Sequence, residues 1–158
     1  MNPKVTVLLP TYNEEKNVGR AAKSILNQTY ENIELMIVDD ESTDDTQEVV
    51  RSLQDERVNL QVRVNGSNGL TGALTYGIDL ADGKYVARQD ADDWSDPERI
   101  ERQVSYAEEN NVDIVGTGSY NMDTSGKRVG KREVPEDPSP NDFNSGSQFV
   151  HGSLLMDR

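Results

Sequence analysis

Tyr85-Val-Ala-Arg-Gln-Asp-Ala-Asp-Asp-Trp-Ser-Asp-Pro-Glu-Arg99 begins as a strand, breaks into carboxylates and restarts as a helix. Tyr85, Val86 and Ala87 suit a buried strand, and Asp90, Asp92 and Asp93 follow where that strand must end. Asp96 reads as a helix N-cap, Pro97 as the first helical residue and Glu98 as a first-turn acid. In extended backbone Asp90 and Asp92 point to the same side. Like charges this close raise the cost of ionising one another, and a divalent cation removes that cost. Carboxylate oxygens without His or Cys suit hard ions, here Mg²⁺ or Mn²⁺. The plainer alternative is an Asp-rich turn, because Asp bonds its own backbone and caps helices.

On the N-terminal side, Val5 to Leu9 is an apolar run expected for a strand buried on both faces. Pro10 is expected to end it, leaving Thr11-Tyr12-Asn13 as a loop. A helical pattern starts at Glu14, with Val18, Ala21, Ala22, Ile25 and Leu26 on one face. Ile33 to Val38 is the next buried strand and runs into Asp39-Asp40-Glu41-Ser42-Thr43-Asp44-Asp45. Ser42 or Thr43 is the expected cap of a helix that turns Val49, Val50 and Leu53 inward. Val58 to Val64 alternates, as in a half-exposed or edge strand. Gly66 to Gly69 forms a turn before a third helix whose inner face is Leu70, Ala73, Leu74, Gly77, Ile78 and Leu80 or Ala81. Asp82-Gly83 stops that helix.

On the C-terminal side, a fourth helix runs from Pro97 to about Glu109, with Ile100, Val104 and Ala107 inward. Val112 to Gly118 is a further strand. Tyr120–Met122 and Arg128–Val134 are the arms of a hairpin turning at Asp123-Thr-Ser-Gly126. A stiff connector from Pro135 to Pro140 and a polar stretch lead to a last strand, Phe149 to Met156.

Strand and helix alternate four times, so the class is α/β with a mainly parallel sheet. Right-handed crossovers put every strand's carboxyl end on one edge. The loops Pro10–Asn13, Asp39–Ser42 and Asp90–Asp93 then converge where open α/β sheets bind ligands. Neither G-x-G-x-x-G nor G-x-x-x-x-G-K-[ST] is present. Tyr12 stands in the first loop instead, suited to stack on a base or to pack on its helix. A carboxylate of Asp39 or Asp40 can accept from a base N–H or a ribose hydroxyl, or can cap a helix. A cation held by the acidic cluster would bridge a diphosphate. Base, ribose and diphosphate together describe a nucleoside diphosphate carrier.

The chain of 158 residues suggests one domain with room for a core. It has no Cys, hence no disulfide and no thiolate chemistry, which fits a cytoplasmic protein. No signal peptide is read at the N-terminus, and no apolar run approaches the roughly 20 residues of a membrane span. Net charge is -13 and the isoelectric point about 4.4, against a nucleic-acid or anionic-membrane surface. The acids are dispersed and Arg outnumbers Lys, consistent with a halophilic protein or with an ordinary acidic one.

Four segments then carry a family resemblance. Val5-Thr-Val-Leu-Leu-Pro-Thr-Tyr-Asn-Glu14, Ile37-Val-Asp-Asp-Glu-Ser-Thr-Asp44, Gly69-Leu-Thr-Gly-Ala-Leu-Thr-Tyr-Gly-Ile78 and Ala87-Arg-Gln-Asp-Ala-Asp-Asp93 resemble family 2 glycosyltransferases in order and spacing. The resemblance covers nearly the whole chain. It implies a GT-A fold, Rossmann-like, with a mainly parallel sheet flanked by helices. Residues 1–158 would be its nucleotide-sugar-binding portion, C-terminally truncated. The implied activity is an inverting, metal-assisted transfer of a sugar from a nucleoside diphosphate donor, chiefly a UDP-sugar, to a saccharide, lipid or other acceptor hydroxyl. The implied cofactor is Mg²⁺ or Mn²⁺.

By the same resemblance Pro10, Thr11 and Tyr12 lie along the base. Asp40 is the base-pairing carboxylate and Asp39 its neighbour. Asp92 faces ribose and metal, Asp93 is the main metal ligand, and Asp90 completes the Asp-x-Asp-Asp pattern. Arg88 and Arg99 flank the site, toward phosphate or toward the acids, with acid pairing favoured for Arg99. Where family members often carry Asn before the third helix, Ser67 stands, with Asn68 one place on. The catalytic base is expected beyond Arg158. His151, the one His, is weighed as a donor-site group and as a packed residue of an apolar strand, the second being favoured. A truncated sheet edge predicts a homodimer, and the full-length protein is placed in the cytoplasm or at the inner membrane face. A non-catalytic sugar-nucleotide-binding module and a sugar-1-phosphate nucleotidyltransferase are the alternatives. The latter lacks its Gly-rich basic loop after strand one. A receiver domain is disfavoured because no Lys stands suitably.

Overall fold

The computed structural model describes residues 2–64, 69–139, 141–142 and 147–158. The elements are β1 (Val5–Thr11), α1 (Val18–Leu26), β2 (Ile33–Asp39), α2 (Thr46–Arg51), β3 (Val58–Val62), α3 (Gly69–Leu80), β4 (Tyr85–Arg88), α4 (Arg99–Asn110), β5 (Ile114–Val115), β6 (Ser119–Met122), β7 (Arg128–Arg132) and β8 (Leu155–Asp157). Six strands form one sheet in the order β3-β2-β1-β4-β8-β5, and β6-β7 is a separate hairpin. β1 to β4 pair in parallel, while β8 runs antiparallel to both β4 and β5. The sheet is thus mainly parallel, and its first four strands end on one edge.

Alternation along β1 separates two cores. Val5, Val7 and Leu9 pack with α1, α2 and α4 through Ala21, Ala22, Ile25, Val50, Ile100 and Val104. Leu8 faces the other side and meets α3 with Met36, Val38, Ala73 and Val86. Gly77 lets α3 sit close: a Cβ there would lie 2.2 Å from Leu8 Cδ1. Leu70 and Ile78, expected inside, are exposed; of Leu80 and Ala81 it is Ala81 that is buried, in one core with Ala73, and Leu74 packs against them half-buried.

Several boundaries differ from the sequence expectation. Pro10 does not end β1; it pairs in register with Val38. Leu8 accepts from Gln89 N–H on the β4 side and Thr11 from Asp40 N–H on the β2 side. Alternation therefore turns the missing N–H of Pro10 toward β4, whose ladder has already stopped at Leu8–Arg88. α1 starts at Val18, preceded by a turn in which Glu14 O accepts from Asn17 and Val18 N–H. α2 is entered at Asp45; Ser42 instead donates its hydroxyl to Asp39. Asp96 Oδ1 accepts from Glu98 N–H at 3.0 Å, but α4 starts two residues later than Pro97, at Arg99. Val112–Gly118 shortens to β5. Phe149–Met156 is no single strand: His151–Ser153 is a 3₁₀ turn before β8. The hairpin arms β6 and β7 stand as expected, and β3 is an edge strand. The Gly66–Asn68 part of the expected turn, with Ser67 and Asn68, lies outside the described residues, as does Pro140. Among the described residues no helix is long and apolar enough to cross a membrane.

The end of β4 is fastened to α4 by one buried side chain. Arg99 donates Nε–H to Gln103 Oε1 at 3.0 Å, Nη1–H to Gln89 Oε1 at 2.9 Å and to Ser95 Oγ at 2.7 Å, and Nη2–H to Arg88 O at 2.6 Å. Burial pulls its pKa down to about 10, while Asp90 and Asp93 oppose that fall, so the group is a cation at neutral pH. Gln103 carries the fastening on, donating to Val115 O at 2.7 Å and Ser153 O at 2.8 Å. The sequence expectation that Arg99 pairs with an acid is corrected: its direct partners are all neutral, because it is walled in by amides and carbonyls.

Arg99→Met is expected to cost about 3–5 kcal/mol in urea denaturation, since four acceptors lose their donor inside the protein. Arg99→Lys should recover only part, because an ammonium lacks the planar fork. A second prediction concerns the turn before β3, where Arg57 bonds both Asp55 and Leu26 O at 2.9 Å. Its hydrogen bonds hold the Asp55 carboxyl at about 2, below the ordinary 3.8. The pair therefore adds stability above about pH 4 that is lost as pH falls toward 2. Asp55→Asn should flatten that limb of the stability–pH curve.

Candidate functional site

The carboxyl edge of the sheet carries a cavity of 690 Å³ bounded by Thr11, Tyr12, Asp40, Leu70, Arg88 and Asp92. Pro10, Ala73 and Asp90 also line it. Its size suits a small-molecule site. The three loops named from the sequence thus share one wall. Tyr12 is 57% exposed, so its ring stands over the cavity rather than packing on α1. Thr11 is buried, and its Oγ1 is the one buried side-chain polar atom without a partner among the described residues. A buried hydroxyl left unpaired in a cavity wall is a place for a ligand's polar atom.

Asp39 and Asp40 part company. Asp39 is wholly buried and accepts from Ser42 N–H at 3.1 Å, from the Ser42 hydroxyl and from Gln47 Nε2 at 2.8 Å. It is built into the loop and is absent from the cavity wall. Asp40 lines the cavity, and its Oδ1 accepts from Arg63 Nη1 at 2.7 Å. That ion pair, little exposed on either side, fixes the carboxylate's direction. Asn13, at φ 54°, closes the neighbouring loop: its Oδ1 accepts from Thr43 N–H at 2.8 Å, and its own N–H donates to Ser42 Oγ at 2.9 Å.

The acidic cluster divides as well. Asp90 Oδ1 accepts from Arg88 Nε at 2.7 Å, so the acid partner belongs to Arg88 and not to Arg99. Asp90 Oδ2 turns to Gly152, where a Cβ would lie 2.7 Å away; Asp93 Oδ2 would be 3.4 Å from the same Cβ. Two carboxylates thus flank a cradle that any side chain at residue 152 would fill. The Asp93 carboxyl is pushed up, first by the burial on that side and then by Asp92 and Asp90. Among the described residues no three of His, Cys, Asp and Glu form a closed metal cage. An octahedral Mg²⁺ or Mn²⁺ needs no such cage: one or two carboxylates suffice when phosphate oxygens and water complete the shell. The oxygen-only donors and the open cradle fit that ion.

His151 is exposed, in the 3₁₀ turn, with Nε2 2.9 Å from Ser147 Oγ. The expected packing in an apolar strand is corrected, because that strand does not form. Gln89, Ser95 and Gln103 were not singled out from the sequence. They are the buried amides and hydroxyl that hold the acidic loop, and only their burial marks them. A buried Gln two turns from a charged loop carries no periodic signal.

The family model described as glycosyl transferase family 2 matches residues 6–154. "Putative glycosyltransferase EpsE" of Bacillus subtilis (strain 168) is 37% identical, covering 98% of this chain and 56% of that protein. The UDP-Glc:alpha-D-GlcNAc-diphosphoundecaprenol beta-1,3-glucosyltransferase WfgD of Escherichia coli is 32% identical, over 84% of this chain and 51% of that protein. The chain spans about half the length of these curated relatives. Among solved structures, the mannosyltransferase PcManGT from Pyrobaculum calidifontis, in complex with GDP-Man and Mn²⁺, superposes with a TM-score of 0.74. It is 23% identical, covering 100% of this chain and 45% of that one, a likeness that shows the fold. The mainly parallel sheet, its flanking helices and the matched span agree: the chain belongs to glycosyl transferase family 2 and has the GT-A fold.

Proposed function

We propose that residues 1–158 bind the nucleoside diphosphate sugar donor of an inverting glycosyltransferase, in the 690 Å³ cavity at the sheet edge. The observation that carries the reading is the unpaired, buried Thr11 hydroxyl beside the exposed Tyr12 ring and the fixed Asp40 carboxylate. Tyr12 stacks on the base, Thr11 meets a polar atom of it, and Asp40 accepts a base N–H through Oδ2. Stacking of this kind contributes about 1–3 kcal/mol per base. Asp92, at the far wall, accepts from the ribose. Arg88 stands where a diphosphate would draw it from Asp90. The similarity to a UDP-Glc enzyme favours a uridine donor.

Asp93 and Asp90 would hold Mg²⁺ or Mn²⁺ at the Gly152 cradle, with Asp92 beside them. When bound, such an ion neutralises charge on a departing diphosphate. The chain's own residues do the orienting. Arg99 and its amides keep the acidic loop in place, and Tyr12 and Asp40 fix the nucleoside end. Transfer is a single displacement. The acceptor hydroxyl oxygen bonds to the anomeric carbon, the bond from that carbon to the diphosphate oxygen breaks, and the hydroxyl proton passes to a general base. A lipid-linked saccharide acceptor, like the one in the name of the WfgD relative, would place the enzyme's work beside a membrane.

A thermal-shift series tests this. UDP is expected to raise the Tm, and UDP with Mn²⁺ to raise it further than either alone. Asp93→Ala and Gly152→Ala should each abolish the metal-dependent increment and leave the rest. Tyr12→Ala should weaken UDP about tenfold or more with the metal increment retained. Equal shifts in wild type and Asp93→Ala, or none with any nucleoside diphosphate, would sink the reading.

A further inference from the structure

A second cavity, of 1060 Å³, lies beside the first. One side is the loop carrying Asp93, Trp94 and Ser95; the other is the β6-β7 hairpin with Tyr120 and Arg128. Asp92 lines both cavities, so the two spaces meet at the carboxylates. The donor reading takes Asp93 and Gly152 from this cavity as well, and leaves Trp94, Tyr120, Arg20 and Arg128 without a task. Its exposed aromatics are Trp94, 41% exposed, and Tyr120, 50% exposed.

Each ring carries a guanidinium. Arg20 Cζ lies 4.2 Å from the centre of the Trp94 ring, and Arg128 Cζ lies 4.2 Å from that of Tyr120. Arg20 also donates to Asp92 O at 3.3 Å. Neither arginine makes an ion pair among the described residues, in a chain whose net charge is -13. Acids for such pairs abound, so two arginines stacked on rings in one cavity are notable. Stacking holds a guanidinium flat and leaves edge N–H groups, on Arg20 those not given to Asp92 O, for a planar acceptor. Phosphate is such an acceptor. An exposed aromatic ring beside it offers a flat surface to the C–H face of a pyranose.

We infer that this second cavity is the acceptor site and that its ligand is a glycosyl phosphate. The pyranose lies against Tyr120 and Trp94, and Arg20 and Arg128 take the phosphate. The inference rests on the donor reading for its direction: the acceptor hydroxyl is presented at the Asp92 wall, where the donor's anomeric carbon would stand. The hairpin, which lies outside the main sheet, thereby acquires a task. A free sugar 1-phosphate and a lipid diphosphate sugar share this chemistry.

Trp94 is the chain's one tryptophan, so its fluorescence reports the site directly. Titration with N-acetylglucosamine 1-phosphate, with and without saturating UDP and Mn²⁺, is expected to change that emission in both conditions. Tyr120→Ala and Arg128→Ala should each weaken the effect about tenfold, and Tyr120→Phe should keep it. UDP affinity by calorimetry should stay unchanged in all three. A short-chain prenyl-diphosphate-linked N-acetylglucosamine that binds more tightly assigns a lipid source; equal binding assigns a soluble one. Unchanged titrations in Tyr120→Ala and Arg128→Ala would overturn the inference. So would binding lost whenever UDP is present, which would place the ligand in the nucleotide cavity. Equal binding of inorganic phosphate would reduce the site to an anion site and overturn it too. Failure of UDP to bind wild type would sink the donor reading alone, since the titration without UDP still decides this one.

Discussion

The guanidinium of Arg99 holds the site together. A cation taken out of water is tolerated only when its donors are met, and here they meet two side-chain amide oxygens, a hydroxyl and a main-chain carbonyl. Those four acceptors come from the end of β4, the acidic loop and α4. Asp90 and Asp93 gain a nearby positive charge without surrendering an oxygen to it. Carboxylates kept in place by a cation behind them remain available on the open side. Direct salt bridges from Arg99 would have fixed the loop equally well but would have consumed the groups that face the cavity.

The same division of labour recurs at the first two loops. Asp39 spends all its acceptors on Ser42 and Gln47 and becomes part of the scaffold. Its neighbour Asp40, held through one oxygen by Arg63, keeps a carboxylate edge toward the cavity. Of each adjacent acidic group, one member builds the loop and another is presented. Adjacent residues at a strand's end point in opposite directions, which makes that split geometrically natural.

Much of this was legible in the chain. The apolar runs at Val5, Ile33 and Tyr85 mark strands because a sheet covered on both faces needs unbroken apolar residues. The 3.6-residue stripes of α1 and α4 mark helices against one face, and Ile100, Val104 and Ala107 are buried as the pattern requires. Less legible was α3, where the fully buried positions are only Ala73 and Gly77, Leu74 and Tyr76 packing beside them half-buried, while Leu70 and Ile78 stay outside. Which side of a small-faced helix touches the sheet depends on how close its axis can come, and that is a property of Leu8 opposite. The segment 149–156 misled because an apolar run is compatible with any buried backbone. Its 3₁₀ turn exists to pass Gly152 beneath Asp90 and Asp93, a contact more than fifty residues away in sequence.

The sequence by itself determined the alternation of strands and helices, and with it the edge on which the polar loops must gather. Periodicity and chain handedness are local properties, and they suffice for that. Only the tertiary structure decided which carboxylate is scaffold and which faces the cavity, which arginine pairs with an acid, and that Trp94 and Tyr120 share a second space. Those outcomes depend on distances between residues far apart in the chain, and no pattern of neighbours along it encodes them.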